Sequence, residues 1–315
     1  MPYKIIDLGA QNGNFSQAFA INSESQVTGW TGNPKSPNDP ASPAPFLWTQ
    51  GAMQVLNIPN RYMYGKGFDL NCDDEIVGYL YNGNGDDAII WIAGIAQPLP
   101  WAGDVAYGRS INDCGLAAGD AGGPGPNNNT KAHCSPAGNL VPVPPTPAGV
   151  APSQRYCRAY GINSLGKIVG GSDTGNPIPF PAAFAPPIPG VHACFWDKGQ
   201  VQDLGTLHPN DGSEAYGINN RGQVVGRSGN NAFLWQNGVM RDLGAGAAYN
   251  INNSSLVIGD TFLWQNGART PLANLLPANS GWQITEGRDI NDAGEIVGTG
   301  IHVPNNPHHA FLMYP

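Results

Sequence analysis

Along almost the whole chain, apolar and polar residues alternate in bursts of about four to six positions, separated by Gly, Pro, Asn or Asp. Alternation with period two marks strands that bury one face, and bursts this short leave no room for ordinary helices. The bursts also repeat. A phrase of the form small-x-x-Ile-Asn ends at Asn22, Asn71, Asn112, Asn163, Asn219, Asn252 and Asn291. The residue before each is Ile21, Leu70, Ile111, Ile162, Ile218, Ile251 or Ile290. A second phrase follows each, ending in Gly29, Gly78, Gly119, Gly170, Gly226, Gly259 and Gly298. A third, Ala-Phe-Leu-Trp-like, reaches Trp48, Trp91, Trp196, Trp235, Trp264 and Met313, with a degenerate copy at Ala132–Ser135. Three residues after each Trp position but the last comes a glycine, and then a phrase such as Asp203-Leu204-Gly205.

Each set predicts four short strands, a to d, joined by hairpins. Asn237-Gly238 and Asn266-Gly267 suit the tight primed turn between c and d. The Asn closing strand a can bond its own turn. Repeats of 33–56 residues with four strands each match the blades of a β-propeller. The expected fold is all-β: a seven-bladed propeller with four antiparallel strands per blade, one domain over 1–315. Its blades are expected near 15–59, 60–101, 102–146, 157–206, 213–245, 246–275 and 284–315 plus 3–9. The seventh set has no d strand, whereas Lys4–Gly9 is an orphan d strand resembling Asp203-Leu204-Gly205. Pairing the two ends would complete that blade, close the ring and remove an unpaired edge.

Composition agrees. Gly (43) and Pro (29) are abundant in the 315 residues and charged residues are scarce at 12%, as expected for short strands joined by turns. A net charge of −8 argues against a phosphate-binding surface, so no nucleic-acid partner is expected. No apolar run is long enough to span a bilayer and no apolar leader follows Met1. A cytoplasmic protein without membrane contact is expected, or a secreted one had a leader been removed. The five cysteines show no CxxC spacing and cannot all pair, which suggests free thiols in a reducing compartment. The six histidines have no zinc-like spacing, and no phosphate loop, nucleotide fingerprint or GxSxG elbow occurs. Neither a metal nor a cofactor is expected.

The phrases resemble the HAF-repeat family, named for a His-Ala-Phe triplet ahead of a Trp. His309-Ala310-Phe311 matches outright, while His192-Ala193-Cys194 and Asn231-Ala232-Phe233 depart by one residue. Length, start and degenerate repeats also resemble the fungal propeller hetero-Diels–Alderases of tropolone–sesquiterpenoid pathways. That resemblance implies loss of water from a hydroxymethyl tropolone and cycloaddition of the quinone methide to a humulene-type alkene. It carries no catalytic motif to any residue here. The alternative is a secreted propeller that binds carbohydrate or a protein without catalysis.

Links b–c and d–a vary in length and lie on one face; long ones are expected at Trp30–Pro45, Asp120–Lys131 and Gly171–Val191. Long loops on a rigid frame concentrate binding. At this face strand a places Gln17, Lys66, Tyr107, Arg158, Glu214, Ala247 and Glu286, followed by uniformly small residues. Packing asks the same of equivalent positions, so this disagreement suggests a pocket floor. Arg109 and Arg288 replace the Phe or Tyr of other copies, and Asp69 and Asp289 replace small or neutral residues. The expected catalytic set is Lys66, Tyr107, Arg158, Glu286, Arg288 and Asp289. Lys66 and Arg158 would anchor an oxygen anion, Glu286 or Asp289 move a proton, and Tyr107 donate to a leaving hydroxyl. Substrate contacts are expected from Gln17, Asp69, Arg109 and Glu214, and from rim aromatics including Trp30, Tyr64, Trp101, Phe184 and Trp282. The ligand would be a small, largely apolar molecule and the protein a monomer. Trp48, Trp91, Trp196, Trp235 and Trp264 read as scaffold between sheets.

Overall fold

The computed structural model describes residues 2–11, 13–33, 42–101, 103–122, 131–134, 139–140, 156–173, 190–302 and 307–315. The chain begins with β1 (Lys4–Asp7). Four-strand meanders follow: β2–β5 (Phe15–Ile21, Val27–Gly32, Ala44–Thr49, Ala52–Val55) and β6–β9 (Tyr64–Leu70, Ile76–Tyr81, Asp86–Ile92, Ile95–Pro98). Next come β10–β13 (Val105–Ile111, Ala117–Gly122, Lys131–Cys134, Asn139–Leu140) and β14–β17 (Cys157–Ile162, Ile168–Asp173, Val191–Asp197, Gln200–Gly205). The last full meanders are β18–β21 (Ser213–Ile218, Val224–Ser228, Asn231–Gln236, Val239–Ala245) and β22–β25 (Ala248–Ile251, Val257–Gly259, Phe262–Gln265, Ala268–Pro271). The chain ends with β26–β28 (Trp282–Ile290, Ile296–His302, His308–Tyr314). Neighbours within each meander pair antiparallel, innermost strand first.

The expectation of seven separate sheets is corrected: the strands form six, one of them eight-stranded. The meanders β6–β9 and β10–β13 merge through one parallel bridge, Val105 to Asp86. Gly85 makes the approach possible, since a Cβ there would sit 1.8 Å from the Asp104 carbonyl oxygen. The two chain ends do meet. β1 pairs antiparallel with β28, Lys4 opposite Tyr314 and Asp7 opposite Phe311, and so supplies the fourth strand of the last sheet.

The tight c–d turns form as predicted. Asn237 and Gly238 have φ of 52° and 84°, and Asn266 and Gly267 have 50° and 87°, the left-handed pair of a type I′ turn. The recurring Gly of the second phrase has a steric cause. A Cβ at Gly29 would lie 1.9 Å from the Gln17 carbonyl oxygen, and one at Gly170 1.8 Å from that of Arg158.

The repeated Asn bonds its own turn: Asn163 Oδ1 accepts from the amides of Leu165 (3.1 Å) and Lys167 (2.9 Å). Its Nδ2 donates onward to the Asn219 carbonyl at 3.0 Å. The same donation runs Asn22 to Asn71, Asn71 to Asn112, Asn112 to Asn163, Asn219 to Asn252 and Asn252 to Asn291. Asn291 donates back to Asn22 at 3.0 Å. This circuit stitches each meander to the next, a role the local turn signal did not reveal.

The core lies between successive sheets. Trp48, Trp91, Trp196, Trp235 and Trp264 are all buried there, as their equivalence predicted. One apolar cluster joins Leu8 and Leu312 of the last sheet to Phe46 and Trp48 of the first. None of the five cysteines is joined in a disulfide. Among the described residues, no helix is long and apolar enough to cross a membrane.

Candidate functional site

The innermost strands β2, β6, β10, β14, β18, β22 and β26 each pack against the next, and β26 packs against β2. Every one carries a bulge between its small residue and the position two further on. A bulge leaves one side chain out of the ladder and re-aims it. The bulged residues are Phe19, Phe68, Arg109, Tyr160, Tyr216, Tyr249 and Arg288, and all seven line a cavity of about 260 Å³. Asp69, Ser110, Asn250 and Asp289, each next along its strand, line it as well. Ile21, Ile111, Ile162, Ile218 and Ile290 border both this cavity and a second one of about 200 Å³, lined by the asparagines. An apolar collar thus separates two polar ends.

Two carboxyls sit above the collar. Asp69 Oδ2 accepts from Ser110 Oγ (2.6 Å) and the Ile111 amide (2.9 Å), and Oδ1 from the Leu70 amide (2.9 Å). Asp289 accepts from the Ile21 amide (2.8 Å), the Ile290 amide (2.7 Å) and Asn250 Nδ2. Burial, with the like charge of Asp289, raises the Asp69 carboxyl to about 7 despite those donors. Burial likewise pushes Asp289 upward. Asp69 can therefore hold a proton near neutral pH.

The cations fall into two groups. Arg109 pairs with Asp120, a carboxylate that also lies 3.8 Å from Arg158. Arg109 is stacked between the rings of Tyr107 (4.9 Å) and Tyr160 (5.1 Å). Beside them the fully buried Glu214 gathers the hydroxyls of Tyr156, Tyr160 (3.1 Å) and Tyr216 (3.2 Å). On the other side Arg288 pairs with Glu286 at 2.8 Å and lies over Tyr249 (4.5 Å) and Phe19 (5.5 Å). Lys66 lies 4.8 Å over the ring of Trp30, and burial and then Arg288 lower its pKa.

A third arc is aromatic. Phe68 packs against Phe19 (5.7 Å), Tyr79 (5.5 Å) and Tyr107 (6.3 Å), and Tyr79 meets Tyr107 edge-on at 5.2 Å. Tyr107 donates to Asp86 Oδ2 at 2.6 Å; burial and that carboxylate raise the phenol's pKa.

No protein-family model and no curated protein matches this sequence. Among solved structures it is similar to the β-propeller domain of the Trilobed protease from Pyrococcus furiosus, with a TM-score of 0.58 and 10% identity, over 96% of this chain and 94% of that one. Pyrococcus horikoshii acylaminoacyl peptidase matches with a TM-score of 0.55 and 10% identity over 95% of this chain. The chain spans about half (51%) of that peptidase. YCF48, solved bound to D1 peptide, matches with a TM-score of 0.55 and 10% identity over 100% of this chain and 97% of that one. The fold is a β-propeller.

On this frame the predicted residues divide. Asp69, Arg109, Arg288 and Asp289 line the cavity, and Lys66 and Glu286 stand beside Arg288. Arg158 and Glu214 instead belong to the network around Asp120 and the tyrosines. The expected rim aromatics make contacts within the sheets. Trp30 is buried on β3 and donates to Gln17 at 2.9 Å. Trp101 is buried against Gly119, where a Cβ would come within 2.6 Å of its ring. Trp282, on β26, stacks on His302 at 5.0 Å, and Tyr64, on β6, on Tyr81 at 4.8 Å. Phe184 and most of the three long links lie outside the described residues. Sequence reasoning passed over Phe19, Phe68, Tyr79, Tyr160, Tyr216 and Tyr249. Its signal was there in the copies that Arg109 and Arg288 replace, but a strict period of two hides a bulge.

Proposed function

We propose that this propeller is a cofactor-independent enzyme acting on a small molecule at the open end of its channel. The observation that carries this is the cavity itself, lined by the buried carboxyls of Asp69 and Asp289 together with the side chains of Arg109 and Arg288, with Asp69 protonatable near neutral pH. In this reading the ring has seven blades, the eight-stranded sheet counting as two, and β1 seals it. The asparagine circuit and the cyclic packing of the inner strands support that count.

With the sequence resemblance, the reaction is dehydration of a hydroxymethyl tropolone followed by hetero-Diels–Alder addition to an alkene. Asp69, neutral below about pH 7, gives its proton to the leaving hydroxyl, so the C–O bond breaks to release water. The ring hydroxyl proton passes to a carboxylate, and an arginine holds the developing oxygen charge. Addition to the alkene then moves no proton, and the aromatic arc of Phe19, Phe68, Tyr79 and Tyr107 orients the apolar partner. Mass spectrometry of reactions with a hydroxymethyl tropolone and humulene-type polyenes tests the proposal. Adduct formation faster and more stereoselective than without protein, and slowed by Asp69→Asn, is expected. Unchanged yield and stereochemistry would overturn it.

The second reading is a non-catalytic binder of carbohydrate or protein. What favours it is that the structurally similar YCF48 was solved with a bound peptide. Against a multivalent lectin stands the disagreement of equivalent positions around the channel mouth.

A further inference from the structure

We propose that Lys66 and Arg288 together form an anion subsite, which takes a carboxylate or acidic enol oxygen of the ligand. The inference rests on the channel being a small-molecule site but not on the chemistry performed there.

β6 and β26 flank β2, so the two cations reach toward each other across one inner strand. That strand presents Gln17, whose amide oxygen is already engaged by Trp30, and Phe19, whose ring lies under Arg288 at 5.5 Å and offers no charge of its own. Arg288 spends one terminal nitrogen on Glu286, while its buried Nε has no hydrogen-bond partner. Lys66 forms no ion pair among the described residues; it rests on the face of Trp30. An ammonium held there against the field of a second cation is poised to gain from an incoming anion.

The charge balance singles out this pair. Arg109 and Arg158 sit on either side of Asp120, with Glu214 beside the tyrosines that neighbour Arg158. Two cations there meet two carboxylates. Around β2, among the described residues, Lys66 and Arg288 share a single ion pair, that of Arg288 with Glu286. An anion completes that set without stranding a charge.

Calorimetric titration with benzoate and with its neutral isostere benzamide tests the subsite. Benzoate is expected to bind about tenfold or more tightly than benzamide, as charge-assisted contacts require. Lys66→Met and Arg288→Gln should each remove most of that preference and leave benzamide binding in place, with Arg288→Lys restoring part of it. Thermal melts identify any variant that does not fold, and Arg288→Lys then carries the test. Equal binding of the two probes, or an equal loss of both in Lys66→Met, would overturn the subsite. Adduct formation without benzoate preference rejects the subsite alone; benzoate preference without adduct formation supports it and rejects the cycloaddition alone.

Discussion

The two ends of the channel are built by the same seven inner strands, yet they follow opposite rules. At one end every strand finishes in the same Asn, and each does the same three things: two bonds to its own turn and one to its neighbour. At the other end the equivalent positions hold Gln17, Lys66, Tyr107, Arg158, Glu214, Ala247 and Glu286. Repetition marks a structural demand that every blade shares, because the turn and the junction have the same geometry each time. Divergence appears where side chains meet a space rather than a neighbouring backbone. The collar of isoleucines is the boundary between the two regimes.

The sharpest way to separate the ends is pH. Asp69 carries its proton at higher pH in the folded chain, about 7 against 3.8. A carboxyl raised in this way favours the native state at low pH and penalises it increasingly as pH climbs toward 7. Asp69→Asn should therefore gain stability relative to the parent by about 2 kcal/mol between pH 5 and pH 7, since the slope of roughly 1.4 kcal/mol per unit halves as the carboxyl ionises near 7. Urea unfolding at several pH values measures this; a difference that stays constant would mean the carboxyl is ionised throughout.

At the asparagine end, Asn163→Ala removes three hydrogen bonds of a buried group. The expected loss is roughly 2–3 kcal/mol, at about 1 kcal/mol per bond. Asn112→Ala, in the preceding inner strand and bonded the same way, should lose a similar amount at neutral pH with no change in benzoate affinity. Unequal losses, or a change in ligand binding, would break the contrast between a uniform end and a specialised one.

The smallest effect concerns the His of the His-Ala-Phe triplet. His309 Nδ1 lies 2.9 Å from Asp7, His192 Nδ1 2.9 Å from Asp203, and Asn231 Nδ2 donates to Asp242 at 2.8 Å. The triplet's first residue is thus a clasp between the third and fourth strands of a sheet, and in the last sheet it pins β1. Since Asn already fills this place once, His309→Asn should change the melting midpoint by no more than about 0.5 kcal/mol equivalent at pH 7. A loss well above that would give the histidine a role beyond the clasp.

Much of the architecture was legible because it is periodic. Alternating strands, Asn-Gly turns and an orphan strand matching Asp203-Leu204-Gly205 can each be read from local residues, and the pairing of β1 with β28 follows from them. The merger of two meanders was not legible, since it depends on Gly85 lying against Asp104. The site was half legible. Substitution of Arg109 and Arg288 for aromatic residues stood out, whereas the tyrosines beside them looked like packing.

By itself, then, the sequence determined the strands, their turns, the repeat and the residues that break it, because these depend on contacts within a few positions of the chain. Only the tertiary structure decided which charges face each other. Asp120 draws Arg109 and Arg158 together, while Lys66 and Arg288 are left to share one side of the channel. Those partners stand 11 to 222 positions apart, and electrostatic pairing over a few ångströms depends on where the backbone brings them, not on their order along it.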